Sequence, residues 1–496
     1  PCVLYAKNVI FETNQHNKGG AIYLSKSSSV FLIKSFFLNN VANVKGGAIY
    51  LSSQSKLEMS HCHFFNNKCI GNDNTPAFQG LTIFTENNTT IMSNSSSFIN
   101  SLYLNRFQTD AKCDDAINND NGNMNLPESN RRRRRRRHIL ETTASSDRLR
   151  CGVFGGGIYV GAGSRMIFRN AKFKSNALNI NPTSMITKPH TKYRYGGAFF
   201  LTNNSYVTFY NSTFKYNTAE NGGVFYVYQN RNNLTFVNVT FTSNSANGSV
   251  GYVSGSSNNI YFENSVFQKN NAAKGGVMNL PQWSSNNLLQ FKLCNLTENE
   301  ASLIGGVVAI DGHSHHIYAS SSSFSYNVAG IDGGVFYLTC SNACKEVEIQ
   351  VNLCLFAGNE AVRYGGVLAY HAGATTNNDG NTNLKIQFDE SKFLSNIGKE
   401  NGGVIFGSEH ISHIIINSCL FADNTAWYAG GGIYIVGPEI TMSTDSQIVL
   451  NIFDTIFLRN TATVCYNSDT QISGGGGAIF ISDSASIIIF KSTFFN

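Results

Sequence analysis

The chain reads as all-β, a right-handed parallel β-helix solenoid of about fifteen coils, and three observations predict it. A glycine pair followed by a small, a large and often an aromatic residue recurs, from Gly19-Gly20-Ala21-Ile22-Tyr23 through Gly46-Gly47-Ala48-Ile49-Tyr50 to Gly476-Gly477-Ala478-Ile479-Phe480. A second signature, Phe-x-x-Asn, alternates with it, as at Phe37 and Asn40, Phe64 and Asn67, Phe214 and Asn217, Phe324 and Asn327, and Phe457 and Asn460. Around both signatures apolar residues fall at period two on one face, the pattern of a strand and not of a helix.

The spacing justifies the solenoid. From Gly196 onward the first glycines, or the Val250 that stands for one, fall at 196, 222, 250, 275, 305, 333, 365, 402, 430 and 476. A constant core with elastic gaps is what stacked coils with loop insertions produce. After the glycine pair, Ile49, Phe199, Met278 and Leu368 mark one inward position, and Leu51, Leu201 and Leu280 the next. The residue between them varies from Tyr50 to Asn279 and Ala309, so it is expected to face out. Ahead of the signature Phe lie apolar pairs such as Val30 and Leu32, Leu57 and Met59, and Ile260 and Phe262. The Phe is expected to stack inward, and the Asn to be a turn residue that tolerates left-handed backbone. One coil cannot bury its own apolar face, but coils stacked at roughly 4.8 Å bury them together, giving a rod about 70 Å long.

Three segments follow: N-terminal coils over 1–105, a polar insertion over 106–150, and the main body over 151–496. The insertion holds Arg131, Arg132, Arg133, Arg134, Arg135, Arg136 and Arg137, and without these seven the net charge of +6 becomes −1. The remainder is therefore no polyanion binder by composition, and no nucleic-acid partner is expected. The run itself has three readings: a solvated loop, a processing site for secretory proteases, or an anion-binding segment that lacks the aromatics of base-stacking proteins. A Cys113–Cys151 bridge would hold the halves together after cleavage. No apolar run approaches the roughly 20 residues of a membrane span. The absence of an initiator Met and a final Phe494-Phe495-Asn496 inside a signature suggest a trimmed piece of something longer.

Charged residues make up only 14% of the chain, so something else must cover its surface. Asn87, Asn88, Asn94, Asn203, Asn211, Asn233, Asn238, Asn247 and Asn295 each stand in Asn-x-Ser/Thr, and in a chain made in a eukaryotic secretory pathway they are glycan acceptors. There are 11 cysteines. Cys62, Cys294, Cys354 and Cys419 fall two residues before the signature position, where buried thiols packing as small apolar groups are expected. Cys340 and Cys344 are spaced to close a loop disulfide, and a secreted chain with one or two such staples fits best. No Cys-x-x-Cys pair or zinc-finger spacing occurs, so neither metal nor cofactor is expected.

Catalytic signals are thin. Glycoside hydrolysis usually needs two carboxylates about 5–10 Å apart. Asp114-Asp115 lies in the insertion, Asp389-Glu390 should point to opposite faces, and Asp311 and Asp332 take unlike positions in consecutive coils. His313 and His315 would share a face if they bound a metal, but surface histidines in a turn explain them better. Trp283 and Trp427 would suit sugar stacking, against the plainer reading of loop or core residues. The chain is not expected to be an enzyme.

The Gly-Gly-Ala-Ile and Phe-x-x-Asn signatures resemble the paired repeats of the polymorphic outer-membrane protein family, whose passengers look like pectin-lyase-like β-helices. The resemblance covers nearly the whole chain outside 106–150. It departs where Val replaces Ala after the glycines, as at Val224, Val307 and Val404, and in having no membrane β-barrel after the repeats. It implies surface exposure and interaction. The expectation is an extracellular or cell-surface structural glycoprotein that self-associates, with uncapped coil ends pairing head to tail into a filament. The alternatives are an adhesin or glycan-binding passenger acting through loops at 106–150 and 371–384, and, more remotely, a polysaccharide lyase or hydrolase.

Overall fold

A computed structural model of the chain describes residues 2–69, 78–79, 82–100, 153–154, 156–177, 194–340, 346–372, 384–408, 413–437, 448–463, 475–482 and 485–495. Among these are strands and turns but no helix, and the strands pair in parallel. The fold is the predicted parallel β-helix. It divides into two units, Pro1–Ser164 with Lys172–Leu201 and Asn217–Tyr226, and Arg165–Ala171 with Thr202–Tyr216 and Val227–Asn496.

In the first unit, sheet A holds Val3–Lys7, Ser29–Ile33, Lys56–Ser60 and Thr90–Asn94. Sheet B holds Ile10–Glu12, Phe36–Leu38, His63–Phe65, Ser97–Ile99 and Lys172–Lys174. Sheet C follows the glycine pairs, with Ile22–Leu24, Ile49–Leu51, Ile83–Thr85, Ile158–Val160 and Phe199–Leu201. In the second unit, sheet A runs from Arg165–Arg169 to Ala485–Phe490, sheet B from Thr213–Lys215 to Thr493–Phe495, and sheet C from Gly251–Val253 to Ile479–Ser482. Among the described residues sheet A has four strands in the first unit and eleven in the second, which makes fifteen coils.

Register places like on like, with Leu32 opposite Met59, Phe37 opposite Phe64, and Ile22 opposite Ile49. The signature Phe residues stack inward as expected. In the first unit Phe11, Phe37, Phe64, Phe98 and Phe173 form one column with ring centroids 4.6 to 4.9 Å apart. In the second unit a column through Phe209, Phe236 and Phe262 meets the signature column edge-on, Phe236 lying 5.3 Å from Phe241 at 70°. Each such pair adds roughly 0.5–1.5 kcal/mol beyond the area it buries.

The signature Asn departs from its expected role. Left-handed backbone falls one residue earlier, at Asn39, Asn66, Tyr216, Ser243 and Tyr326, while Asn40, Asn67, Asn217, Asn244 and Asn327 are completely buried. Their carboxamides join coil to coil. Asn299 Nδ2 donates to Asn327 Oδ1 at 3.0 Å and to the Phe267 carbonyl at 3.0 Å. Its Oδ1 accepts from Asn270 Nδ2 at 2.9 Å and from the Asn270 backbone N–H at 3.2 Å. The pattern runs from Asn244 through Asn359, Asn396 and Asn424 to Asn460. A buried amide demands such partners, and stacking supplies them from coil to coil along each of these runs.

The glycine pair divides two tasks. Gly333 adopts φ +68°, and a Cβ there would stand 2.3 Å from the Phe336 carbonyl oxygen. Gly334 has ordinary backbone, but its Cβ would meet the Gly366 carbonyl of the next coil at 2.1 Å. Register also corrects one alignment. Gly251 pairs with Met278, so the pair position in that coil is Gly248-Ser249 and Val250 occupies the Val or Ala position.

The residue between the inward positions of sheet C is in many coils buried instead of facing water, Tyr50 being 1% exposed and Tyr226 5%, although Tyr23 is 52% exposed. Its side chain does point away from the core. It is covered by the residue just before the glycine pair of the preceding coil. Lys18 lies over Tyr50, Lys45 over Phe84, Tyr195 against Tyr226, and Tyr364 on Phe406. The outer rings also form a column in the first unit, from Tyr23 through Tyr50, Phe84, Tyr159 and Phe200 to Tyr226.

Candidate functional site

Sheet C of the second unit widens where the sequence lengthens its repeats. Met278–Leu280 and Val308–Ile310 have three residues, but Phe336–Cys340 and Leu368–Ala372 have five. These longer strands lead into residues 341–345 and 373–383, outside the described residues. The widened face carries a polar cluster built on a buried carboxylate, Asp332.

Asp332 precedes a glycine pair, and its side chain is only 2% exposed. Arg363 of the next coil grips it in a fork, Nε donating to Oδ1 at 3.0 Å and Nη2 to Oδ2 at 2.6 Å. The Tyr364 backbone N–H donates to Oδ1 at 3.2 Å, and His371 Nε2 faces Oδ2 at 3.1 Å. Around the His371 ring stand Tyr337 at 5.7 Å, Tyr364 at 5.7 Å and Phe406 at 5.1 Å. Arg363 also lies 4.7 Å over the Tyr364 ring and is 43% exposed, so the cluster opens to solvent on its side.

The charges follow from this packing. Burial alone would raise the Asp332 carboxyl, but His371 and Arg363 outweigh it and hold the group below the usual carboxylate range. Burial, then the charge of Glu400, pushes the Tyr364 phenol up to about 12. Tyr337 is raised by burial first and then by Asp332, with Asp311 adding to it. The two carboxylates read as unlike in position thus both act on Tyr337. A carboxylate already accepting from Arg363 and Tyr364 is an anchor, poorly placed to take a proton from a substrate.

Other flagged residues scatter over the fold. Asn87, Asn88, Asn94, Asn211, Asn238, Asn247 and Asn295 are exposed, and Asn203 and Asn233 half-buried. Asn211 and Asn238 occupy equivalent corners of consecutive coils, Asn238 Nδ2 donating to Asn211 Oδ1 at 2.8 Å. Cys62, Cys294, Cys354 and Cys419 are buried free thiols, as expected. Burial pushes Cys294 and Cys419 up to about 12 and Cys354 to about 11. Cys113, Cys151 and Cys344, the arginine run 131–137 and Asp114-Asp115 lie outside the described residues, as does the side chain of Cys340. Asp389 accepts from Gln387, and Glu390 sits at an exposed left-handed corner. Trp283 is 59% and Trp427 44% exposed. His315 turns inward, away from His313 and His316, and no group of metal-ligand type occurs among the described residues. Among the described residues no helix is long and apolar enough to cross a membrane.

The Asp332 cluster escaped sequence reading because its members come from successive coils, 31 and 8 residues apart. The available signal was an acidic residue immediately before a glycine pair, where other coils place Lys18, Lys45, Tyr195 or Tyr364.

Comparison with known proteins agrees with the coil motif. Residues 34–52 match the model of the Chlamydia polymorphic membrane protein repeat. They span a sheet B strand, the buried Asn40, the glycine pair Gly46-Gly47 and a sheet C strand. No curated protein matches the chain in sequence. Among solved structures, a periplasmic alginate epimerase is similar at 10% identity and a TM-score of 0.33, over 92% of this chain and 77% of that one. PfbA, a surface adhesin of Streptococcus pneumoniae, is similar at 10% identity and a TM-score of 0.30, over 94% and 84%. Likeness this slight says nothing of activity. Residues 34–52 carry a repeat of the Chlamydia polymorphic membrane protein type, and the chain that holds them is a parallel β-helix.

Proposed function

We propose that the chain works at the cell surface or outside the cell as a contact-making scaffold, adhering to other surfaces and to copies of itself. The match at residues 34–52 carries this reading, because the matched family is one of membrane proteins and the matched segment is this chain's own repeat unit. The chemistry of the coils supports it. Interior polar groups are spent on ladders between coils, and the Asp332 carboxylate is saturated by Arg363 and Tyr364. Self-association has its own support in the first unit, where Ile10, Phe36 and Phe65 stand exposed on three consecutive strands of sheet B. N-glycans on the exposed sequons would cover much of the uncharged surface, and catalysis is not part of the proposal.

Biotinylation of intact source cells with a membrane-impermeant reagent tests the location. Labelling before lysis supports the surface reading, and labelling only after lysis sinks it. Sedimentation of the protein with Phe36→Ser and Phe65→Ser tests association, which should weaken at least tenfold. Removal of N-glycans by an endoglycosidase should lower the mass in steps.

A further inference from the structure

His315 stands at the end of a second ladder. In the second unit Asn232 Nδ2 donates to Asn258 Oδ1 at 3.0 Å, and Asn258 Nδ2 to Asn287 Oδ1 at 3.0 Å. The ladder's other bond repeats too, the Asn258 backbone N–H donating to Asn287 Oδ1 at 2.9 Å. In the next coil the place of Asn is taken by His315, which is completely buried, and its Nδ1 accepts the Asn287 backbone N–H at 3.3 Å. Nδ1 must therefore be unprotonated. Nε2 carries the proton and donates to Ser284 Oγ at 3.2 Å, since that hydroxyl already donates to the Pro281 carbonyl at 2.7 Å. Gly312 makes room for the ring, for a Cβ there would stand 2.4 Å from Nε2.

We propose that His315 makes the coils spanning Pro281 to His316 an acid-sensitive seam, closed while its imidazole is neutral and opening when it gains a proton. Protonation puts an N–H where the Asn287 N–H needs an acceptor, and leaves a cation in a site without a counter-charge. The surrounding groups do not relieve this. Pro281 to Asn287 of the preceding coil contains no charged residue. His313 and His316 flank the ring within its own coil and oppose its charging. Of the following coil, Glu346 is exposed at a corner, and Glu348 is committed outward to His316, Tyr318, Gln350 and Lys385. Burial, then these two histidines, holds the imidazole down at about 3. A folded value below the unfolded one makes this stabilisation complete above about pH 6.5 and progressively lost below it.

Hydrogen exchange on the full chain, corrected for the intrinsic rate, tests the seam. Opening of residues 284–292 and 311–320 should rise about 100-fold from pH 7.5 to 4.5, relative to the coil around Asn258. His315→Asn restores the ladder residue and should remove that rise while leaving pH 7.5 protection intact. An equal rise in His315→Asn overturns the proposal. So does a wild-type seam whose opening does not change with pH, a result that stands even if the variant fails to fold.

Discussion

Tyr364 lies flat on Phe406, ring centroids 4.2 Å apart and planes 10° from parallel, so that one coil's pre-glycine residue closes over the outer ring of the next. Arg363, 4.7 Å over the ring of Tyr364, is held by the fork to Asp332. Three consecutive coils are thereby tied at one point. Removing the cation leaves a buried carboxylate with only the Tyr364 N–H and His371 beside it, so Arg363→Met should cost about 3 kcal/mol. Urea unfolding measures it, and a loss under about 1 kcal/mol would show that the pair is an incidental surface contact.

The same carboxylate gives a pH signature separate from that of His315. Its folded value is depressed, so the stabilisation it contributes is present at neutral pH and lost as pH falls below about 4. Unfolding midpoints of wild type and Asp332→Asn should converge as pH is lowered from 5 to about 3. Midpoints that keep a constant separation across that range contradict the assignment.

The Asn ladder predicts a cost out of proportion to the size of the side chain. Asn327→Ala removes the acceptor of Asn299 Nδ2 and of the Asn299 N–H, and the donor to the Leu296 carbonyl. Stranded buried groups cost about 1–3 kcal/mol each, so a total near 4 kcal/mol is expected by urea titration. Asn39→Ala, at a half-buried corner with φ +54°, should cost about 1 kcal/mol.

Gly334→Ala should be worse than Gly333→Ala even though only Gly333 has left-handed backbone. The first substitution drives a methyl into the neighbouring coil's carbonyl, whereas the second meets the carbonyl of its own strand, which can shift with it. The expected losses are above about 4 kcal/mol and about 2 kcal/mol. Soluble yield and melting temperature rank them, and the reverse order would refute the division of tasks.

Thiol reactivity checks the interior. Cys62, Cys294, Cys354 and Cys419 should resist a maleimide at pH 8 for hours in the folded chain and react within minutes in urea, while exposed Cys2 reacts at once. Rapid native labelling of Cys354 would mean that its coil opens freely.

The coil was legible because its determinants are local. Phe37, Gly46 and Ile49 lie within one period and recur, and a fixed register turns recurrence into columns. What the single asparagines do was not legible. Asn40 resembles a turn residue in sequence, since the corner at Asn39 adjoins it, and only stacking reveals a buried carboxamide with partners 26 and 27 residues away. Burial of Tyr50 escaped for the same reason, its cover being Lys18 of another coil. The Asp332 cluster joins residues whose separation depends on insertions of irregular length, and no fixed spacing announces it.

The carboxamides from Asn244 to Asn424 all point the same way, each giving one N–H to the Asn oxygen of the later coil and the other to a backbone carbonyl of the earlier one. Such a column is polarised along its length, and each bond strengthens its neighbours. It has a sense as well as a period. A coil can join only in the direction of chain growth and only whole, because half a repeat would set an amine against an amine or an oxygen against an oxygen. Duplicating or deleting one full repeat leaves the column unbroken, so the fold can change length over generations without passing through a broken intermediate.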